Sequence, residues 1–198
     1  MSIYLYDEAL LNKLRSWTSD TKVKIFGPDD ARQLFQVLAD EQDDKRLELP
    51  MIVLTRPGGY TITNANRKPL SYNGSTIEQT EDYSTKLNAI PISINYQLDI
   101  YTRYMKEADT YTRELVFNIV NHNKVEIEIP YEDVNLKHIS SIWMSNDIVD
   151  NSDIPEHLVR GQFYRMTINL VIDDAYLWDV RKYGNLEIEA NLNENNLK

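Results

Sequence analysis

Residues Ile90 to Pro130 read IPISINYQLDIYTRYMKEADTYTRELVFNIVNHNKVEIEIP, and two changes of period inside this stretch decide the fold class. Side chains in a strand alternate between two faces. Ile92, Ile94, Tyr96, Leu98 and Ile100 therefore share one face, and Ser93, Asn95, Gln97 and Asp99 the other. From Met105 the period lengthens. Met105, Ala108, Tyr111 or Thr112, Leu115 and Ile119 recur at three- and four-residue steps, the apolar stripe of a helix. Alternation then returns, with Val125, Ile127 and Ile129 against Lys124, Glu126 and Glu128. Strand, helix and strand in succession predict a mixed α/β fold, with the helix over about 105–121 lying on the sheet.

Upstream, Ala9, Leu10, Leu14 and Trp17 give helical spacing to Asp7–Trp17, and Asp7 is placed to cap its free amides. Val23 to Phe26 predicts a short strand. Gly27 and Pro28 end it, and Pro28 with Asp29 and Asp30 opens a second helix carrying Ala31, Leu34, Phe35 and Leu38. After the charged stretch DEQDDKRLEL, ending at Pro50, the run Met51 to Leu54 predicts a buried strand. Arg56 to Gly59 predicts a turn, and Tyr60 to Ile62 a further strand. Residues 64–89 are polar and weakly periodic, and predict a long loop or β-excursion; segments of that length usually serve binding.

Downstream, Tyr131 to Lys137 is expected to be irregular and His138 to Met144 a strand. Ser145 to Pro155 is expected to be an acidic loop. In Gln162 to Ile172, Tyr164, Met166, Ile168, Leu170 and Ile172 share a strand face. Asp173 and Asp174 are expected to end that strand in a turn. The organisation predicted is one α+β domain over 1–183 and a polar tail over 184–198. The core should contain Tyr96, Leu98, Ile100, Leu115, Ile119, Ile127, Ile168 and Leu170. Segments 92–101, 124–130 and 162–172 should lie in one sheet.

The 198 residues are 42% hydrophobic and 26% charged, ordinary for a globular domain with one well-buried core. No stretch approaches the roughly 18 apolar residues of a membrane span. The opening MSIYLYDEALLNKL lacks the basic region of a signal peptide. The chain has no cysteine, which excludes disulfides and thiolate metal sites and accords with an intracellular assembly environment. The net charge is −10, from 31 acids against 21 bases, with acids concentrated at 40–48, 145–156 and 173–179. Such a balance argues against gripping nucleic acid, which needs clustered Lys and Arg.

Catalytic patterns are missing. His122, His138 and His157 have no cysteine near them and no HExxH pairing, and structural or solvated roles fit them better than metal ligation. His122 follows a helix end, where a cation is favourable. Ser140 and Ser141 lack the glycines of a nucleophile elbow, and no phosphate-binding glycine loop occurs. Asp147, Asp150 and Asp153 are spaced by three and lack the glycine of a calcium loop. Asp173 and Asp174, as neighbours in a strand, should point to opposite sides and share no pocket. The sequence thus names no catalytic, cofactor-binding or metal-binding residue, and none of these groups is expected. Its 13 tyrosines suit protein interfaces, where one end packs and the other hydrogen-bonds.

Pro91 to Val120 resembles the bacteriophage tail terminator proteins, also called tail-completion or head-to-tail joining proteins. In that family a strand of the form [QR]-[VIL]-D-[VIL]-[WY] leads into a helix with an alanine and spaced aliphatics. Here Gln97, Leu98, Asp99, Ile100 and Tyr101 match the strand in NYQLDIYTR, and Ala108, Leu115 and Ile119 match the helix in EADTYTRELVFNI. A late alternating strand, here Gly161 to Ile172, is also typical. The resemblance covers less than half of the 198 residues. It implies a mostly antiparallel sheet covered by helices and a virion structural protein, assembled in the host cytoplasm. Such proteins close into a ring, commonly a hexamer, that ends the tail tube and joins tail to neck. Its partners would be its own copies, the tail-tube protein, and sheath and neck proteins. There would be no membrane partner and no specific grip on DNA, although DNA passes through the ring. No enzymatic activity is implied. The alternatives are another neck or baseplate adaptor ring, and a cytoplasmic enzyme with an unrecognised site.

Overall fold

The computed structural model describes residues 2–31, 49–63, 70–72, 75–76, 87–131, 134–152 and 163–178. Two helices, α1 (Ser2–Trp17) and α2 (Met105–Asn121), accompany nine strands. These are β1 (Lys24–Phe26), β2 (Met51–Thr55), β3 (Tyr60–Ile62), β4 (Leu70–Tyr72), β5 (Ser75–Thr76), β6 (Leu87–Thr102), β7 (Lys124–Tyr131), β8 (Val134–Asp150) and β9 (Tyr164–Trp178). A further helix opens at Pro28 and is described to Ala31. The strands form one connected sheet in the order β1-β2-β6-β9-β8-β5, with β3 and β4 also on β6, and β7 on β8. β1 and β2 run parallel, and the other described pairings are antiparallel.

The two long central strands follow from the alternation read in the sequence. β6 and β9 pair from Ala89↔Trp178 to Thr102↔Tyr164, which sets Leu98 against Ile168 and Tyr96 against Leu170. β8 joins two ladders: its first half pairs with β7 and its second with β9. Segments 92–101 and 124–130, and 164–172 of the expected 162–172, therefore share the sheet. α1 packs chiefly on β7, and α2 on β6, β8 and β9. Between helices and sheet lies the main core. Tyr96, Leu98, Ile100, Leu115, Ile119, Ile127, Ile168 and Leu170 are each at most 2% exposed there. Burying a large aliphatic or aromatic side chain contributes about 1.5–3 kcal/mol before chain entropy is counted. A smaller cluster, Ala31, Met51, Val53 and Tyr101 with Phe26, Leu49 and Phe163, occupies the other face. Met51 and Val53 belong to it while Ile52 and Leu54 face the main core, so the continuous apolar run of β2 is apolar on both sides. Gly58 and Gly59, at φ 77° and 79°, make the turn before β3, where side chains with a Cβ are strained.

Several expectations need correction. α1 begins at Ser2, because Tyr6 continues its buried stripe backwards; Asp7 is an interior helix residue and caps nothing. Met105 is 46% exposed at the start of α2 and stands outside the core stripe. Tyr131 and Val134 to Lys137 are strand and not irregular: Tyr131 pairs with Val134, and β7 and β8 run antiparallel. Of the expected acidic loop 145–155, residues 145–150 belong to β8, where the register jumps between Met144 and Ile148 so that the chain bulges. Asp173 and Asp174 do not end β9. They stand opposite the single residue Ser93 as a β-bulge, and the strand runs on to Trp178. In the excursion 64–89, the described pieces are strand: β4 pairs with the start of β6, and β5 with β8. The rest of that excursion, the helix positions Leu34, Phe35 and Leu38, and the tail 184–198 lie outside the described residues.

One core position is suboptimal. Thr112 is 8% exposed and its hydroxyl has no hydrogen-bond partner among the described residues. Valine has the same shape without the desolvated hydroxyl. Thr112→Val should raise stability by about 0.5–1.5 kcal/mol in denaturant unfolding. A loss of stability would show that the hydroxyl has a partner in solution.

Candidate functional site

Three polar knots sit where sequence reasoning saw only alternating faces. The first ties α1 to the sheet. The Tyr96 hydroxyl donates to Asp7 Oδ1 at 2.7 Å, and Arg56 Nη1 lies 3.0 Å from Asp7 Oδ2. Burial pushes the Asp7 carboxyl up, against the pull of the Tyr96 hydrogen bond and the Arg56 charge. Burial and the adjacent carboxylate push the Tyr96 phenol up, so it remains the donor.

The second knot is on the opposite face of β6. Asp99 is 1% exposed. Its Oδ1 accepts from Thr167 Oγ1 at 2.6 Å and Arg165 Nε at 3.3 Å. Its Oδ2 accepts from Gln97 Nε2 at 2.8 Å and Arg165 Nη2 at 3.2 Å. Arg165 approaches as a two-pronged fork and also lies over the Tyr101 ring, at 5.5 Å from its centroid. Asn151 completes the cluster by donating to Thr167 Oγ1 at 2.7 Å. Three of the five strand residues singled out by the resemblance, Gln97, Asp99 and Tyr101, take part here. Their partner Arg165 was missed. The available signal was an arginine on the polar face of one strand and a carboxylate on the polar face of another.

The third knot is built around His138, read as structural or solvated and here 6% exposed among aromatic rings. Tyr176 and Trp178 meet its ring edge-on at 5.2 and 5.3 Å, and Tyr6 stands at 6.5 Å. His138 Nε2 lies 3.0 Å from the Asp174 carbonyl and 2.9 Å from Ser140 Oγ. The Tyr6 hydroxyl accepts the Tyr176 amide at 2.9 Å, and burial raises that phenol to about 12. The Ser140–His138 contact is closed to substrate, because Ser140 is fully buried.

Burial is also the main cause lowering the His138 imidazole below the ordinary 6.5, opposed by the Asp174 carbonyl and charge. The folded state therefore takes up a proton less readily than the unfolded chain, whose histidine titrates near 6.5. Stability from this site is complete above about pH 6.5 and is lost as pH falls towards the lower folded value. Asp7 contributes with the opposite sign, since its raised carboxyl favours the protonated form at still lower pH. Comparison with His138→Phe isolates the histidine. The wild type should lose more stability than this variant between pH 7.5 and 5; parallel losses would place His138 outside the pH response.

The remaining candidates are scattered. His122 is exposed at the end of α2, where its carbonyl accepts from Lys13 Nζ at 3.0 Å. His157 and Asp153 lie outside the described residues. Asp147 is exposed, and the hydroxyl and amide of Ser152 bond Asp150 and hold its carboxyl below the usual value. No group of three or more ligating side chains gathers among the described residues. Lys124 Nζ donates to Ser141 Oγ at 2.7 Å, but Lys124 is exposed, whereas lysines that serve as bases are desolvated. Asp173 and Asp174 come to one side after all, because the bulge cancels the alternation. Ser93 Oγ donates to Asp173 Oδ1 and the Ser141 amide to Asp174 Oδ1, each at 2.8 Å.

The described polar groups thus act as clamps between elements, and the surface carries apolar side chains. Phe117 and Val120 are 64% and 63% exposed on α2, and Ile139 and Trp143 are each 55% exposed on β8. The described helices are not long and apolar enough to cross a membrane. Compared with models of known protein families and with curated proteins, the chain matches none.

Proposed function

We propose that this chain is a virion structural protein, a subunit of a ring that ends a bacteriophage tail tube and joins the tail to the neck. The observation that carries this is the Gln97–Asp99–Arg165 clamp. The strands of the two segments that resemble tail terminators, β6 and β9, are neighbours in the sheet, with Gln97 opposite Asn169 and Asp99 opposite Thr167. The polar residues of the strand signature hold the late strand through Arg165. A motif with that physical role is a fold signature, in keeping with a family whose shared residues serve architecture. Large apolar side chains exposed on α2 and β8 give further support, since such surface is commonly covered by a partner.

The test is tube growth. Purified chain added to polymerising tail-tube protein of the same virion should cap tube ends and stop elongation. Tubes that grow unaltered beside intact rings would favour a neck or baseplate adaptor instead. A ring on the path of DNA must also not retain it. With 31 acids against 21 bases, the protein should show no measurable affinity for duplex DNA at physiological salt. A nanomolar complex with steep salt dependence would contradict the assignment.

A further inference from the structure

Phe117 and Val120 on α2, and Ile139 and Trp143 on β8, expose apolar side chains on two opposite faces. On α2, Ala108, Tyr111, Leu115 and Ile119 turn into the core, so Phe117 and Val120 point away from the sheet. On β8, Ile142 is in the core, so its neighbour Trp143 stands on the sheet face that α2 does not cover, beside its β9 partner Val171. Ile139 lies farther along β8, four residues from Trp143 and on the same face.

The charges beside these pairs differ. On the outer side of α2, one turn before Phe117, Arg113 is exposed, with Lys106 and Asp109 farther along. On the sheet, Asp173 and Asp174 are exposed two and three residues beyond Val171, bonded among the described residues by the Ser93 hydroxyl and the Ser141 amide. Also on this face, Lys124 is engaged by Ser141, and Lys137 by Glu126.

We infer that the helix face around Phe117 and Val120 docks on the sheet face around Trp143 and Ile139 of a second copy of this chain. This deepens the ring assignment and rests on it. Pairing the helix face with the sheet face brings Arg113 to the side that carries Asp173 and Asp174, an opposite-charge match between these groups that neither face makes with itself. A contact between two different faces leaves each subunit with one free face of each kind. It therefore propagates from copy to copy and closes as a ring when the rotation allows.

The experiment uses the full chain and two variants, Phe117→Glu and Trp143→Glu, followed by sedimentation. Each substitution is at an exposed position, and circular dichroism checks the fold. Each variant alone should need at least about 30-fold more protein to assemble, the loss of one interface hot spot. Their equimolar mixture should form a one-to-one dimer, because one variant keeps the sheet face intact and the other the helix face. Val120→Asp and Ile139→Asp repeat the design at neighbouring side chains, should either first variant misfold. Rings that persist in the variants would overturn this contact and leave the ring assignment standing. Variants that stay monomeric when mixed would overturn the two-face contact. A wild-type chain that is monomeric throughout would overturn the ring assignment itself.

Discussion

Replacing Arg165 by methionine should cost about 3–5 kcal/mol of folding stability, the usual loss when one partner of a buried ion pair is removed. The cost comes from what remains. Asp99 is 1% exposed, and without the guanidinium its carboxylate keeps, among the described residues, the Thr167 hydroxyl and Gln97 amide as donors. Methionine fills most of the stem's volume, so the lost charge dominates over packing. The paired replacement Asp99→Leu with Arg165→Met should recover much of the loss, because an apolar pair of similar size carries no desolvated charge. Denaturant unfolding of the three variants decides the matter. A loss below about 1 kcal/mol for Arg165→Met would place this pair among surface ion pairs of little weight.

Leu115→Ala should cost about 2–5 kcal/mol, from lost transfer free energy and the cavity left behind. Leu115 is 1% exposed on the buried stripe of α2 and contributes to the core over β6, β8 and β9. Two residues away on the same helix, Phe117→Ala should change stability by no more than about 0.5 kcal/mol, although it removes a larger side chain. Phe117 is 64% exposed, and only assembly should register its loss. Equal effects at both positions would mean that the helix presents another face to the sheet.

Much of this fold is legible in residue periodicity, because alternation and the helical stripe both report burial. Val125, Ile127 and Ile129, read as one strand face, are buried as such, and Ala108, Leu115 and Ile119 lie on the α2 stripe as expected. Legibility fails where the period is interrupted. A bulge shifts every later side chain by one face, so Asp173 and Asp174 look like a strand end although β9 continues to Trp178. The jump between Met144 and Ile148 made the second half of β8 look like an acidic loop for the same reason. The polar knots were hidden differently. Asp7 and Arg56, 49 positions apart, and Asp99 and Arg165, 66 apart, meet only after the sheet is built. His138 shows none of this in its sequence neighbours, because its aromatic surroundings come from α1 and β9.

The assembly assignment is tested most directly by electron microscopy of the purified chain, alone and with tail-tube protein. Closed rings of about six subunits, seated singly on tube ends in the mixture, are the expected result. Dispersed monomers that leave the tubes open would contradict it.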